Sequence, residues 1–155
     1  MPKKLRMTKK LSISLIIILL LSCCGIKEKR NISGNWYSSS SEKLENNTID
    51  YSEIFIRNDT IHIYSEYMLR MFPRKIILKN DSLFFQSKSD SDFVENILKE
   101  TKNSFDLGVS HKNKRTYYKI ESFKTLENLI KGKITEKDYH KEFIKRMNNR
   151  HQKIK

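Results

Sequence analysis

Two adjacent cysteines are the residues of this 155-residue chain whose chemistry is easiest to specify. A thiol can form a disulfide, bind a metal or carry a covalently attached lipid. Neighbours such as Cys23 and Cys24 bridge each other only with strain, and the sequence contains no third cysteine that could act as a partner. The residues around Cys23 therefore decide which chemistry to expect.

The segment before Cys23 is organised like an export signal. Residues 1–10 carry five Lys or Arg side chains and no acidic side chain, and residues 11–21 are mainly apolar. A helix rises about 1.5 Å per residue, so this apolar run covers only about half of a bilayer core that is about 30 Å thick. We predict that residues 1–22 form a signal peptide that is removed after export.

Leu20, Leu21, Ser22 and Cys23 resemble the lipobox of bacterial lipoproteins. The resemblance implies that a diacylglycerol is joined to the Cys23 thiol, that the chain is cut before this residue, and that acyl chains such as palmitate hold the protein at a membrane. Two or three chains make such an attachment stable. Cys24 fits less well because no small residue precedes it, and it is left as a free thiol or a second acylation site. We expect a location in the cell envelope, outside the cytoplasm.

Other chemically capable residues do not form a recognisable site. The four histidines stand far apart, no cysteine remains for a zinc site, and we expect neither a metal nor a cofactor. The four glycines are scattered, without a nucleophile elbow or a phosphate-binding loop. The sequence therefore does not indicate an enzyme. The histidines are His62, His111, His140 and His151.

Basic residues are concentrated in the last third of the chain. Residues 111–155 hold 14 Lys or Arg against 5 Asp or Glu, whereas residues 23–110 hold 12 against 13. An anionic partner, such as lipid headgroups or envelope polysaccharide, would meet this last third. Nucleic acid is disfavoured because the expected location is extracytoplasmic, and a merely solvated basic helix is the competing interpretation. The candidate contacts are Lys137, Lys141, Lys145, Arg146 and Arg150.

The elements that must position these residues begin with two hairpins. Strand-like residues flank Asn58-Asp59 and, 22 residues later, Asn80-Asp81, and both dipeptides suit tight turns. The repeat predicts an antiparallel meander. Further strands are predicted at 104–109 and 115–120. The capping-box spacing from Asp92 to Glu95 predicts a short helix.

The C-terminal segment, residues 122–155, is predicted to be helical. Phe123, Leu126, Leu129 and Ile130 recur at helical spacing, and Gly132 is suited to a helix end. A second helix is predicted to begin near Thr135. We expect its apolar stripe to pack on the sheet and its basic side to face water. The stripe consists of Tyr139, Phe143, Met147 and Ile154.

Gly34 and Trp36 resemble the Gly-x-Trp pair at the start of the first strand in lipocalin-like proteins. In that family the indole lies across the floor of a β-barrel, and a basic residue, here Arg115, packs over it. The resemblance implies a barrel with a C-terminal helix and a small apolar ligand, with Trp36 in the pocket. About six or seven strands are predicted, which falls short of the eight of a full barrel.

The sequence thus predicts an α+β chain. Its domain is expected to be an antiparallel β-meander or a partial barrel with C-terminal helices. A lipocalin-like fold is one form that this architecture could take. Residues 23–33 are expected to form a lipidated tether and residues 34–155 a single domain. We expect a non-enzymatic binding or accessory lipoprotein. The alternatives are a module that binds an anionic surface and an inhibitor or immunity-type protein, to which no particular residue points.

Overall fold

The computed structural model describes residues 30–39, 50–65, 69–87 and 91–153. The predicted signal peptide, Cys23, Cys24 and Ile154 lie outside these ranges. The strands are β1 (Gly34–Ser39), β2 (Tyr51–Arg57), β3 (Thr60–Ser65), β4 (Leu69–Arg70), β5 (Arg74–Lys79), β6 (Ser82–Gln86), β7 (Ser91–Glu100), β8 (Ser104–Gly108) and β9 (Lys114–Lys119). The helices are α1 (Leu126–Ile130) and α2 (Glu136–Lys153).

Eight of these strands close into an antiparallel barrel. The order around the ring is β1-β2-β3-β5-β6-β7-β8-β9, and β9 returns to pair with β1. The short strand β4 pairs with the end of β3, and Pro73 separates it from β5. Pro73 has no N–H to donate, which explains the break in pairing along β3. The predicted antiparallel sheet with C-terminal helices is confirmed, but the barrel is closed rather than partial.

The two predicted hairpins are present. Asn58 joins β2 to β3 with φ 55°, and Asn80 and Asp81 join β5 to β6 with φ 50° and 64°. Asn and Asp adopt this left-handed conformation more readily than other side chains. These two turns and the turn at 101–103 lie at one end of the barrel, which we call the closed end. The opposite end, where β1 ends and β2 begins, is the mouth.

The helix predicted from Asp92 is wrong, because residues 91–100 form β7. Its pairing with β6 shifts register so that Val94 is an extra residue between the partners of Leu83 and Phe84. A second irregularity interrupts the pairing with β8. Each bulge displaces the alternation of inward and outward side chains. The apolar residues of β7 consequently acquire a spacing that imitates a helix.

The chain before β1 seals the closed end. Ile32 is buried in the interior, the Arg30 guanidinium pairs with Asp81 at 2.7 Å, and the Asn31 N–H donates to Glu100 at 3.1 Å. The folded domain therefore starts before Gly34, within the predicted tether. The interior cluster consists of Ile32, Trp36, Ile54, Ile56, Ile61, Ile76, Leu83, Ile97, Phe105 and Leu107.

A second apolar cluster joins α2 to the outside of the barrel. Tyr139 and Phe143 are fully buried against aromatic side chains of β1, β2 and β3, as the predicted stripe required. Thr135 accepts a hydrogen bond from the Asp138 N–H at the start of α2. Phe123, predicted to share the first stripe, lies before α1 and is 65% exposed. The strand residues of this cluster are Tyr37, Tyr51, Phe55 and Tyr64.

Candidate functional site

The inward-facing residues change character from the closed end to the mouth. From the closed end to the mouth, the inward-facing residues of β2 are Ile56, Ile54 and Ser52. Those of β1 are Trp36 and Ser38. The Ser38 and Ser52 hydroxyls lie 3.2 Å apart. Successive residues on one face of a strand are two positions apart, so these side chains form one inner surface. That surface is apolar and sealed at one end and polar near the other.

A charged cluster follows the serines at the mouth. Arg115 of β9 lies opposite the inward-facing Leu107, and its guanidinium pairs with Asp50, the residue before β2. Burial raises the pKa of the nearby Glu95, although the positive charge of Arg115 opposes that shift. Burial also raises the pKa of Tyr117, although the positive charge of Arg115 opposes that shift. Arg74 adds a second cation, with its guanidinium carbon 4.9 Å from the centroid of the Phe85 ring. The described part of the mouth thus includes two cations, two carboxyl groups and a phenol.

Apolar side chains beside this cluster are only partly covered. Ile63 follows the buried Ile61 along β3, and Phe85 follows the buried Leu83 along β6. Tyr117 stacks on the buried Phe105 with ring centroids 4.9 Å apart. The mouth therefore combines partly covered apolar side chains with charged groups at its rim. The arrangement is suited to a small apolar molecule with a polar end.

Trp36 lies at the sealed end, as the lipocalin resemblance implied. Its side chain is 3% exposed, its indole N–H donates to the Ile32 carbonyl at 2.9 Å, and its ring meets Phe105 edge-on at 4.9 Å. The expectation that Arg115 packs over Trp36 is wrong. The residue paired with Trp36 across the strands is Lys119, whereas Arg115 lies four residues away at the mouth.

A polar depression of about 680 Å³ lies outside the sealed end. Trp36 contributes to its lining, together with residues of the entering segment and of the β7–β8 turn. Lys102 and Lys119 are exposed there, and Glu100 accepts the Asn31 N–H. The lining residues are Arg30, Asn31, Ser33, Trp36, Glu100, Thr101, Lys102 and Lys119.

The predicted basic contacts on α2 fall into two groups. Lys137, Lys141 and Lys145 are exposed. Arg150 instead lies over Tyr37, with its guanidinium carbon 4.4 Å from the ring centroid, and near Tyr118 at 5.7 Å. Arg146 faces the barrel. We therefore exclude Arg146 from the candidate anion-binding surface and retain the three lysines as its centre.

Arg146 belongs to a buried network that the sequence reading missed. Its Nε and Nη2 atoms donate to the fully buried Glu53 at 2.7 and 2.9 Å. The Tyr51 and Tyr139 hydroxyls each donate to Glu53 at 2.8 Å. Burial and the negative charge of Glu53 raise the pKa of both phenols, which therefore stay protonated. The carboxylate thus receives four hydrogen bonds.

Two spacings carried a signal for this network. Tyr51, Glu53 and Phe55 alternate along one strand, which places a carboxylate in the middle of an otherwise aromatic face. Arg146 follows Tyr139 by seven residues, and this spacing returns to the same side of a helix. A buried carboxylate needs a cation, and the two patterns together would have indicated the pair.

The histidines do not form a metal site in the described ranges. His140 Nδ1 lies 3.0 Å from the Tyr64 hydroxyl, His62 stacks on Phe55 and His111 is exposed, while the His151 side chain is outside the description. No group of three potential ligands among His, Cys, Asp and Glu comes together in the described part of the chain. The described helices include none long and apolar enough to cross a membrane.

Comparison with known proteins adds no relative. No protein-family model, curated protein or solved structure matches this chain. The barrel, the charged mouth and the basic helix face are therefore the observations from which function must be argued.

Proposed function

We propose that this chain is a cell-envelope lipoprotein whose lipocalin-like barrel binds a small apolar ligand and has no catalytic chemistry of its own. The anchor is the lipid on Cys23, and the proposal for it rests on the lipobox residues 20–23. The binding role rests on one structural observation. The inner surface passes from a sealed apolar end to a mouth with partly exposed apolar side chains and a charged rim.

The residues of the proposed ligand site have different roles. Ile63, Phe85 and Tyr117 supply apolar contact, and Arg115 with Asp50 supplies hydrogen bonding to the polar end of the ligand. Trp36 closes the floor. Because Arg115 is already paired with Asp50, a neutral polar group that bonds to both is a better match than a second strong acid.

The binding role is testable with the neutral apolar probe N-phenyl-1-naphthylamine. The chain should increase the fluorescence of this probe saturably, and Phe85→Asp should weaken the response because it places a charge in the apolar lining. Phe93→Asp is the matched control, since Phe93 is 51% exposed on the outer face. Equal responses of the two variants would refute the mouth as the binding site.

The anchor is testable by metabolic labelling. A palmitate analogue should label the wild-type protein, and Cys23→Ala should abolish the label. Cys24→Ala should retain it, because Cys24 lacks a small residue before it. Label that persists in Cys23→Ala and disappears in Cys24→Ala would move the anchor to the second cysteine.

A second candidate function is the binding of an anionic envelope surface by α2. Lys137, Lys141 and Lys145 lie within a narrow arc of the helix and are exposed, while the opposite side of α2 is committed to the barrel. A chain without residues 1–24 should bind vesicles that contain phosphatidylglycerol, and binding should decrease steeply with salt. Absence of binding at low ionic strength would eliminate this candidate.

A further inference from the structure

The polar depression at the closed end is built differently from the mouth. It is about 680 Å³ in volume and contains three cationic side chains, Arg30, Lys102 and Lys119, against the single carboxylate of Glu100. Two of these charged groups already have partners within the protein, because Arg30 pairs with Asp81 and Glu100 accepts the Asn31 N–H. Within the described ranges, neither Lys102 nor Lys119 forms an ion pair. The depression therefore presents two unpaired ammonium groups.

The two lysines come from different parts of the chain, Lys119 from the end of β9 and Lys102 from the β7–β8 turn. Lys119 is the cross-strand partner of Trp36, and its backbone N–H donates to the Asn103 carbonyl at 3.0 Å, in the turn that carries Lys102. This backbone contact holds the turn beside the end of β9. Flexible ammonium groups on a fixed backbone are suited to a phosphate, which accepts several hydrogen bonds from different directions.

The position of the depression indicates which class of phosphate compound it would bind. Arg30 at its edge is seven residues from Cys23, and seven residues of extended chain reach at most about 25 Å. A lipid on Cys23 would therefore hold the closed end near the membrane surface, where headgroup phosphates are concentrated. We propose that the depression lined by Lys102, Lys119 and Trp36 binds the phosphate of an anionic lipid headgroup. The choice of a lipid over a soluble phosphate rests on the proposed anchor.

The single tryptophan of the chain reports on this site, because Trp36 contributes to the lining of the depression. Full-length protein in neutral detergent would be titrated with sn-glycerol 3-phosphate, with inorganic phosphate and with micelles that contain phosphatidylglycerol. We expect a saturable change in Trp36 emission with the glycerol phosphate and with the lipid, and a weaker response to inorganic phosphate.

Two double variants localise the binding. Lys102→Gln with Lys119→Gln should raise the apparent dissociation constant for the lipid about ten-fold, because charge-assisted hydrogen bonds are lost. Lys112→Gln with Lys133→Gln removes the same charge from exposed positions outside both the depression and the lysine surface of α2, and should change it less than about two-fold. Equal losses in both variants, or no saturable change in the wild type, would overturn the proposal.

The three titrants separate the possible sources of the phosphate. Inorganic phosphate that binds as tightly as the lipid would refute the headgroup assignment and indicate a soluble phosphate. The titration does not require lipid on Cys23, so its failure would count against the depression alone. Failure of the proposed anchor would appear independently, as loss of the distinction between Cys23→Ala and Cys24→Ala in palmitate labelling.

Discussion

At the scale of single residues, the most consequential interaction is the pair between Glu53 and Arg146. It connects β2 to α2 beneath a layer of aromatic rings, with Glu53 fully buried and the Arg146 side chain 16% exposed. The third nitrogen of the Arg146 guanidinium, Nη1, is buried without a hydrogen bond and lies 3.9 Å from the Glu142 carboxylate. A hydrophobic contact alone would allow α2 to slide, whereas this pair favours one position of the helix.

Replacement of Glu53 by Gln should destabilise the fold strongly. The change leaves the Arg146 guanidinium buried without its counter-ion, and removal of one partner of a buried pair costs about 3–5 kcal/mol. Urea unfolding measures the loss. Glu53→Gln with Arg146→Met should recover part of it, because the orphaned charge is then absent. A double variant no more stable than Glu53→Gln would show that the charge is not the cause.

The matched control is an exposed ion pair elsewhere on the barrel. Lys75 and Asp59 lie 2.8 Å apart, and both side chains are more than half exposed. Solvent screens such a pair, so Lys75→Met should leave the urea midpoint nearly unchanged. A midpoint that falls as far as in Glu53→Gln would contradict the assignment of the loss to burial.

His62 predicts a pH dependence of stability. Burial lowers the pKa of His62, and the positive charge of Arg70 adds to the shift. The folded state thus favours neutral histidine. Its contribution to stability is complete above the unfolded pKa of about 6.5 and is lost as the pH decreases through the lower folded pKa. Thermal unfolding between pH 7.5 and 5.0 should show this loss, and His62→Asn should reduce it. Parallel pH profiles of the two proteins would exclude His62 as the cause.

At the scale of elements, the local turn residues were better predictors than periodicity. The Asn-Asp pairs identified both hairpins because their backbone conformation is encoded in two or three residues. Strand β7 was missed because its bulges depend on the register of β6 and β8, which are distant in sequence. Arg146 was read as solvated because its carboxylate partner is 93 residues away. Long-range pairing, rather than local propensity, accounts for these differences.

Substitution by alanine should destabilise the protein to different extents at two glycines. A Cβ at Gly108 would lie 2.3 Å from the Asn113 carbonyl oxygen, at the end of the β8–β9 connection, and 2.6 Å from the Lys114 Cα, at the start of β9. The connection must move, and overpacking of this kind costs about 1–3 kcal/mol or more. At Gly132 a Cβ meets open space, and only the φ of 66° opposes it, at about 1–2 kcal/mol.

Gly108→Ala should therefore lower the urea midpoint more than Gly132→Ala. Lys112→Ala, in the same β8–β9 connection, provides the control because its side chain is exposed. A larger effect of Gly132→Ala would contradict this order. It would show that the positive φ at Gly132 matters more for stability than the close backbone contact at Gly108.

At the scale of the whole molecule, the barrel has two different ends and one side covered by a helix. The closed end carries the depression proposed to bind phosphate and receives the chain that enters β1, and the mouth lies at the opposite end. Helix α2 covers the outside of β1, β2 and β3. A lipid on Cys23 would therefore direct the mouth away from the membrane, where it is accessible to a ligand. The position of the proposed anchor is therefore compatible with ligand access to the mouth.

The closed ring should open first where β4 and β5 meet β3. This seam consists of two register pairs on each side of Pro73, whereas β2 forms six pairs with β1 and six with β3. Because Pro73 cannot donate a hydrogen bond, the strand is not continuous there. In native-state hydrogen exchange, the amides of Met71 and Ile76, which donate to Ile63 and Asp59 across the seam, should exchange much faster than that of Phe55. Equal protection would show that the barrel unfolds only as a unit. Faster exchange at the seam would identify it as the least stable of the compared parts of the barrel wall.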